Sequence, residues 1–358
     1  MSDDGGIIVS VDVERGFCEA ALGTTNMPNS DTVLVADTLV ESDLRGVYSH
    51  GIQIMPRYIR GLAQGLNPSP NITTVVDAGA LVTLDGDGGM GQVVSCKAME
   101  LAIERAKQHG IAVVTVRNSS HMGALSYYGM MAINEGMIGM CSTNGPAIMA
   151  PWGGLTETLG NNPICFGIPA GRSHPIILDM AVSTAARNKI RVAAAKGDRL
   201  PVGWALDRQG RPTSDPEEAL LGLVAPMSEA KGFGLAVSLE AITAVLSGGL
   251  IGKEIPRDTI IAPDSVDVFR PTYVSHYFQA IDVSRLMNLE ELKSRVDTLA
   301  DQIHDSELGT GTDAVYMPGE IEFITRERRL ETGIPISGAV LKNLDRIASE
   351  VGVNPLPR

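Results

Sequence analysis

Gly86-Asp87-Gly88-Gly89-Met90-Gly91 is the stretch on which the architecture turns. It matches Gly-x-Gly-x-x-Gly, with a strand pattern before it (80–84) and an amphipathic helix pattern after it (93–108), the setting of a Rossmann dinucleotide fingerprint. Its charges argue the other way. Asp85 and Asp87 sit at the glycines, and negative charge there repels the pyrophosphate that a helix N-terminus attracts. The ribose-binding acid expected about 20 residues on is also missing, since the next strand ends in Val116-Arg117-Asn118. The glycines therefore read as a tight turn that uses their backbone freedom, in preference to a phosphate cradle.

On either side of this loop the pattern divides. Upstream, apolar residues recur at helical spacing over 11–26 and 30–45, and a third helix is expected over 53–64. Asn29, Ser30 and Asp31 follow Pro28 as an N-cap cluster. Leu66-Asn67-Pro68-Ser69-Pro70-Asn71 is a break and the first expected domain boundary. Downstream, strands at 111–116, 138–143, 164–168, 175–179 and 275–282 alternate with helices at 127–135 and 235–246. Helices at 289–305 and 341–351 close the chain. The expected class is α/β: a sheet-rich domain over 71–284, and a helical domain built from both termini (1–70 with 285–358).

Composition narrows the function. The 358 residues carry a formal charge of −13 and no Lys/Arg cluster, so nucleic acid is not the expected partner. Cys18, Cys96, Cys141 and Cys165 form no Cys-x-x-Cys pair, which suits reduced thiols in a cytoplasmic protein better than a disulfide frame or a metal site. The opening Met1-Ser2-Asp3-Asp4 is acidic where a secretory signal is basic, and no apolar run reaches membrane-spanning length.

Chemistry concentrates at four places. Asp43-Leu44-Arg45-Gly46-Val47-Tyr48-Ser49-His50-Gly51 has the parts of a proton-transfer site that also holds an anion, or of a plain helix C-terminus. Arg117-Asn118-Ser119-Ser120-His121 follows a buried strand, where α/β sheets place their chemistry, although His121 could simply cap the next helix. Asp179 either bonds a ribose or caps a helix. Lys231 opens a helix, where its charge opposes the dipole, so it either meets an anionic ligand or is a surface lysine.

Taken together, Asp43-Leu44-Arg45-Gly46, Ser49-His50-Gly51, Ser120-His121, Pro151-Trp152-Gly153-Gly154, Gly160-Asn161-Asn162-Pro163, Leu178-Asp179-Met180-Ala181, Lys231-Gly232-Phe233-Gly234 and Pro318-Gly319-Glu320 resemble the type-2 malate/L-lactate dehydrogenases in order and across nearly the whole chain. That group includes ureidoglycolate and sulfolactate dehydrogenases and Δ1-piperideine-2-carboxylate reductases. The resemblance implies a non-Rossmann α/β fold, a homodimer, and hydride transfer between NAD or NADP and a 2-keto or 2-imino acid. It makes His50 and His121 the acid/base candidates, with Ser49 orienting the imidazole or the substrate. The cofactor then lies along Asn144, Asn161, Asp179, Met180, Ala181, Lys231 and His276. Three departures stand out. Ile54 occupies a position where many members have a carboxylate-clamping arginine, leaving that task to Arg45 or Arg57. Ser228-Glu229 stands near where the family often has Gly-Gly, and Gly145 falls where some members have a cofactor-contacting serine. A serine hydrolase is disfavoured because no Gly-x-Ser-x-Gly elbow is present. A non-catalytic dinucleotide-binding protein is the remaining alternative from another class.

Overall fold

The computed structural model describes residues 5–185, 189–190, 193–194, 197–256 and 271–357; the acidic opening at 1–4 lies outside them. Its centre is a seven-stranded sheet in the order β2-β3-β4-β11-β5-β6-β7. These strands are β2 (Thr73–Asp77), β3 (Leu81–Asp85), β4 (Ile111–Ser119), β5 (Met137–Thr143), β6 (Ile164–Ile168), β7 (Ile176–Met180) and β11 (Val274–Asp282). Only β3 and β4 run parallel; every other neighbouring pair is antiparallel. A Rossmann sheet is mostly parallel, and this one is mostly antiparallel, so the topology is a different one. The late strand β11 inserts between β4 and β5, sealing the sheet with a segment from far along the chain.

The glycine loop is a packed turn. Asp87 and Gly88 have φ of 52° and 66°. The Asp87 carboxylate receives the Asn67 amide and the Asn71 N–H, while Asp85 receives Arg117 and Asn118. A Cβ on Gly89 would lie 2.5 Å from the Pro70 ring, and one on Gly91 would lie 2.3 Å from the Ser120 carbonyl oxygen. Chain, not ligand, fills the space that these glycines leave.

Helices α4 (Gly91–His109) and α5 (Ser126–Asn134) bury their apolar faces on the sheet through Val94, Met99, Ala102, Tyr128 and Ala132. A second core joins the two ends of the chain. In it α1 (Val11–Leu22), α2 (Asn29–Leu44) and α3 (Met55–Ala63) pack with α10 (Gly338–Val351), and β1 (Ile7–Val9) pairs antiparallel with β12 (Ile334–Ile336). A third cluster gathers Val182, Leu200, Ala205, Val224, Ala236 and Leu239, beneath the small hairpin of β8 (Ala205–Leu206) and β9 (Pro212–Thr213). Alongside lie β10 (Leu223–Val224), the short helix α6 (Pro216–Leu221) and α7 (Ala230–Glu240), which runs into a π-helical turn at Ala241–Val245.

Two local expectations change. The N-cap of α2 is Pro28 with no side-chain bond, so Asn29 and Ser30 fall inside the first turn. Besides α8 (Leu289–His304), the C-terminal part holds a helix that the pattern did not suggest, α9 (Glu320–Thr332), entered through Gly319 at φ 88°. Its sequence is largely charged, and its apolar residues Ile321, Ile324 and Leu330 are exposed while Arg329 is buried, so no buried apolar stripe marks it for a periodicity reading.

Candidate active site

The Asp43–Gly51 motif is both a helix end and a wall of the main cavity. Gly46 takes the left-handed conformation (φ 80°) that ends α2, and Tyr48–His50 form a short 3₁₀ turn. Asp43, buried, turns back and accepts the Ile52 N–H at 2.5 Å. A Cβ on Gly51 would stand 2.1 Å from that carboxylate, so only glycine permits the turn to close here. Arg329 of α9 braces the same turn, donating to the Asp43 carbonyl and to the Tyr48 hydroxyl.

A cavity of about 500 Å³ lies between this turn, the strand ends and the Pro318-Gly319 turn. His50, His121, Arg45, Arg57, Asn144, Asn161, Asp179, Met180 and Ala181 all line it. The His50 and His121 rings stack with centroids 5.4 Å apart and planes 15° off parallel. Ser49 Oγ meets His50 Nδ1 at 2.8 Å. Tyr58 from α3 meets His121 Nδ1 at 2.8 Å, and the Gly123 N–H points at the same nitrogen at 3.4 Å. A backbone N–H only donates, so Nδ1 of His121 is the acceptor and the neutral ring carries its proton on Nε2. No protein group among the described residues bonds Nε2 of either histidine.

Electrostatics hold both rings neutral. Burial first, and the Arg57 cation second, push His50 down to about 4. His121 is driven well below its ordinary value by burial, then by Arg57 and His50. Arg57 is therefore the cation that the histidines feel. Arg45 faces the cavity too, but it leans on the Phe323 ring at 4.7 Å and pairs with Glu41 at 3.5 Å.

The other wall is built from loops. Asn161 presents its side chain, and at Gly145 the nearest atom to an added Cβ is Asn161 Oδ1 at 3.9 Å, leaving bare backbone. Asp179 opens on the cavity and accepts the Ser126 N–H at 2.8 Å, so it caps α5, a helix earlier in the chain and not the one after it. The cavity walls around it shield it from bulk water and raise its pKa. Asn144 lines the cavity, but its amide is committed to Glu240, to the Leu250 carbonyl and to the Ser275 N–H. Glu240, missed by the sequence reading, is the post for this wall. Its buried carboxylate receives Asn144 at 3.2 Å, Asn162 at 2.7 Å and the Gly252 N–H at 2.8 Å. The available signal was a single acid inside an otherwise apolar helix.

Two expected cofactor residues lie elsewhere. His276 is fully buried within the sheet, where Thr143 Oγ1 meets Nδ1 and Ser119 Oγ meets Nε2, each at 2.8 Å. Thr143 gives its own proton to backbone carbonyls, so His276 donates to it and accepts from Ser119. With both ring nitrogens engaged, His276 cross-links three strands and is not presented to a ligand. Lys231 is exposed in the first turn of α7, outside the cavity lining.

Compared with known proteins, residues 9–345 match the malate/L-lactate dehydrogenase family. The chain belongs to the malate/L-lactate dehydrogenase family. It is 37% identical to malate dehydrogenase of Pyrococcus abyssi over 363 residues, covering 99% of this chain and 98% of that one. The sulfolactate dehydrogenase structure from Methanocaldococcus jannaschii superposes with a TM-score of 0.88 at 37% identity, over 97% of this chain and 98% of that one. Malate dehydrogenase from Pyrococcus horikoshii gives 0.89 at 35% identity, over 99% and 98%. Membership of this family fits the cavity, which joins a cationic, imidazole-bearing side to an apolar and amide-lined side.

Proposed function

We propose that this chain is an NAD(P)-dependent oxidoreductase that interconverts a small 2-hydroxy acid and the corresponding 2-keto acid. The observation that carries the reading is the stacked His50–His121 pair beside Arg57 in a cavity whose far wall is Asn161, Gly145, Pro146, Pro163 and Asp179. That wall suits a nicotinamide nucleotide: apolar faces for a flat ring, an amide and a carboxylate for its polar edge, and no side chain at Gly145 to obstruct approach. When bound, the cofactor supplies or accepts the hydride.

The residues of the chain do the rest. Arg57 sits one helical turn beyond Ile54, so its guanidinium takes the carboxylate-holding task that Ile54 cannot perform. His121 points Nε2 at the keto oxygen; as the imidazolium formed when substrate is bound it gives the Nε2 proton to the nascent alkoxide and returns to the neutral ring, with His50 stacked beside it. An anionic substrate offsets the charge of Arg57 and lifts the histidine pKa, so a proton is drawn to the pair only when substrate is present. Ser49 and Tyr58 fix the two rings. Asn161, Asp179, Met180 and Ala181 bind the cofactor directly, and Asn144 acts by shaping the wall. The helical unit, 1–70 with 285–358, carries the histidine turn against the cofactor unit, 71–284, and two copies form a dimer in the cytoplasm.

Oxidation of NADH and of NADPH, followed by absorbance against a panel of 2-keto acids and cyclic 2-imino acids, tests the reading. Turnover of a 2-keto acid supports it. Turnover confined to cyclic imino acids moves the chain to reductase chemistry, and cofactor binding with no turnover of any compound marks a non-catalytic binder.

A further inference from the structure

The turn that carries His50 is fastened to an uncommon pair. Glu14, from α1, and Asp43, from the end of α2, bring their side chains within hydrogen-bonding reach of one another, with residue exposures of 0% and 3%. Both Glu14 oxygens lack a hydrogen-bond donor among the described residues. Two ionised carboxylates accept only, and both are shut off from bulk solvent, so a proton lying between them is what makes the contact attractive.

Counting the charges packed around the pair gives the same answer. Arg329, from α9, acts on both carboxyls and is itself buried, its N–H groups directed at the Asp43 carbonyl and the Tyr48 hydroxyl. Arg15, next to Glu14 along α1, also acts on Glu14, but its hydrogen bond goes to Asp37 at 2.6 Å. Cys18, one turn on, is a buried thiol that adds no positive charge. Two guanidiniums, Arg15 and Arg329, against the three carboxyls of Glu14, Asp43 and Asp37 leave one carboxyl without a balancing charge.

We propose that Glu14 is a positioning residue held as the neutral acid, sharing one proton with Asp43 so that the pair fixes the Ser49–His50 turn. The Asp43 oxygen that remains takes the Ile52 N–H, and the glycine at 51 lets the chain lie directly on the carboxylate. The imidazole of His50 is thus located by a proton buried in the terminal helices. Burial above all, then the charge of Asp43, pushes Glu14 up to about 10, and burial lifts Asp43 to about 6, so the shared proton persists at neutral pH. The positioning part rests on the reading that His50 serves the reaction; the shared proton does not.

Infrared difference spectroscopy of the full-length wild type against Glu14→Gln, at neutral pH, reads that proton directly. A carbonyl band of a protonated carboxyl group, present in the wild type and missing from the variant, is the expected result; no such band overturns the proposal. Thermal unfolding from about pH 5 to pH 9 gives a second reading. The wild type keeps a proton that its unfolded chain releases, so it loses stability relative to Glu14→Gln as the pH rises; parallel curves would contradict the shared proton. For positioning, Glu14→Gln retains a donor and should keep kcat within about twofold, whereas Glu14→Leu should lose about tenfold in kcat with little change in KM. Equal activity of all three proteins would overturn the positioning role while leaving the infrared result to stand for the proton.

Discussion

His50 and His121 stack face to face at 5.4 Å, each with its Nδ1 held by a hydroxyl, from Ser49 and Tyr58 respectively. Two imidazoles this close cannot both be charged, and burial beside Arg57 keeps both neutral. His121→Ala and His50→Ala should each lower kcat by about 10²–10⁴-fold, with the larger loss at His121. Hydroxy-acid oxidation needs a neutral base, so kcat/KM should stay level below neutrality and fall only as the pH drops toward about 4. Folding stability follows the same sign: below the ordinary histidine value of 6.5 the unfolded chain takes a proton that the folded one refuses, and stability declines from there toward about 4.

Arg57 acts on both rings, and Arg45 pairs with Glu41 and leans on Phe323. Arg57→Gln should raise KM for the acid substrate by about 10²-fold, in keeping with loss of a charge-assisted bond. It should also move the acidic limb of the pH profile upward, because the second cause of His50's depression is gone. Steady-state kinetics over pH check both; an unchanged KM would transfer the substrate carboxylate to Arg45.

Ser228 and Glu229 precede α7 with φ of 49° and 60°, and Glu229 pairs this with ψ of −121°, a region suited to glycine. The family often has Gly-Gly near this place. Glu229→Gly should therefore stabilise the protein by about 1–2 kcal/mol. A denaturant midpoint that falls in the variant would show the side chain to be worth more than the relieved backbone.

Glu240 gathers two asparagines and a backbone N–H in a buried site. Glu240→Leu leaves those donors without an acceptor and should cost about 3 kcal/mol or more. In the protein that remains folded, KM for the cofactor should rise further than KM for the acid substrate, since the Asn144 and Asn161–Asn162 loops make the wall that we propose holds the cofactor. Equal changes in both constants would reduce Glu240 to a fold-stabilising residue.

Much of this was legible in the chain. The periodicities located α1 to α5 and six strands of the central sheet but not β2, which is exposed on both faces and shows no apolar alternation. The two aspartates at the glycine loop and the missing ribose-binding acid weighed against a Rossmann reading. What escaped depends on long-range pairing. The place of β11 between β4 and β5 is set by partners more than a hundred residues away, and that register is what points His276 at Ser119 and Thr143 and away from the cavity. Arg45, His50 and Asp179 were visible because they sit in short polar motifs. Glu14 was visible only as a carboxylate on the buried stripe of Phe17, Cys18 and Ala21, a conflict between residue and position that marks it in retrospect. Helix α9 had no such mark, yet it supplies Arg329 and Phe323.

The central claim is direct hydride transfer between nicotinamide and the C2 carbon of a 2-keto acid. Its most direct test is reduction of an accepted keto acid with a nicotinamide cofactor deuterated at C4, followed by mass spectrometry of the hydroxy acid. Deuterium retained at C2 of the product is the result expected. An unlabelled product, obtained with the cofactor deuterated on either face of C4, would contradict the account.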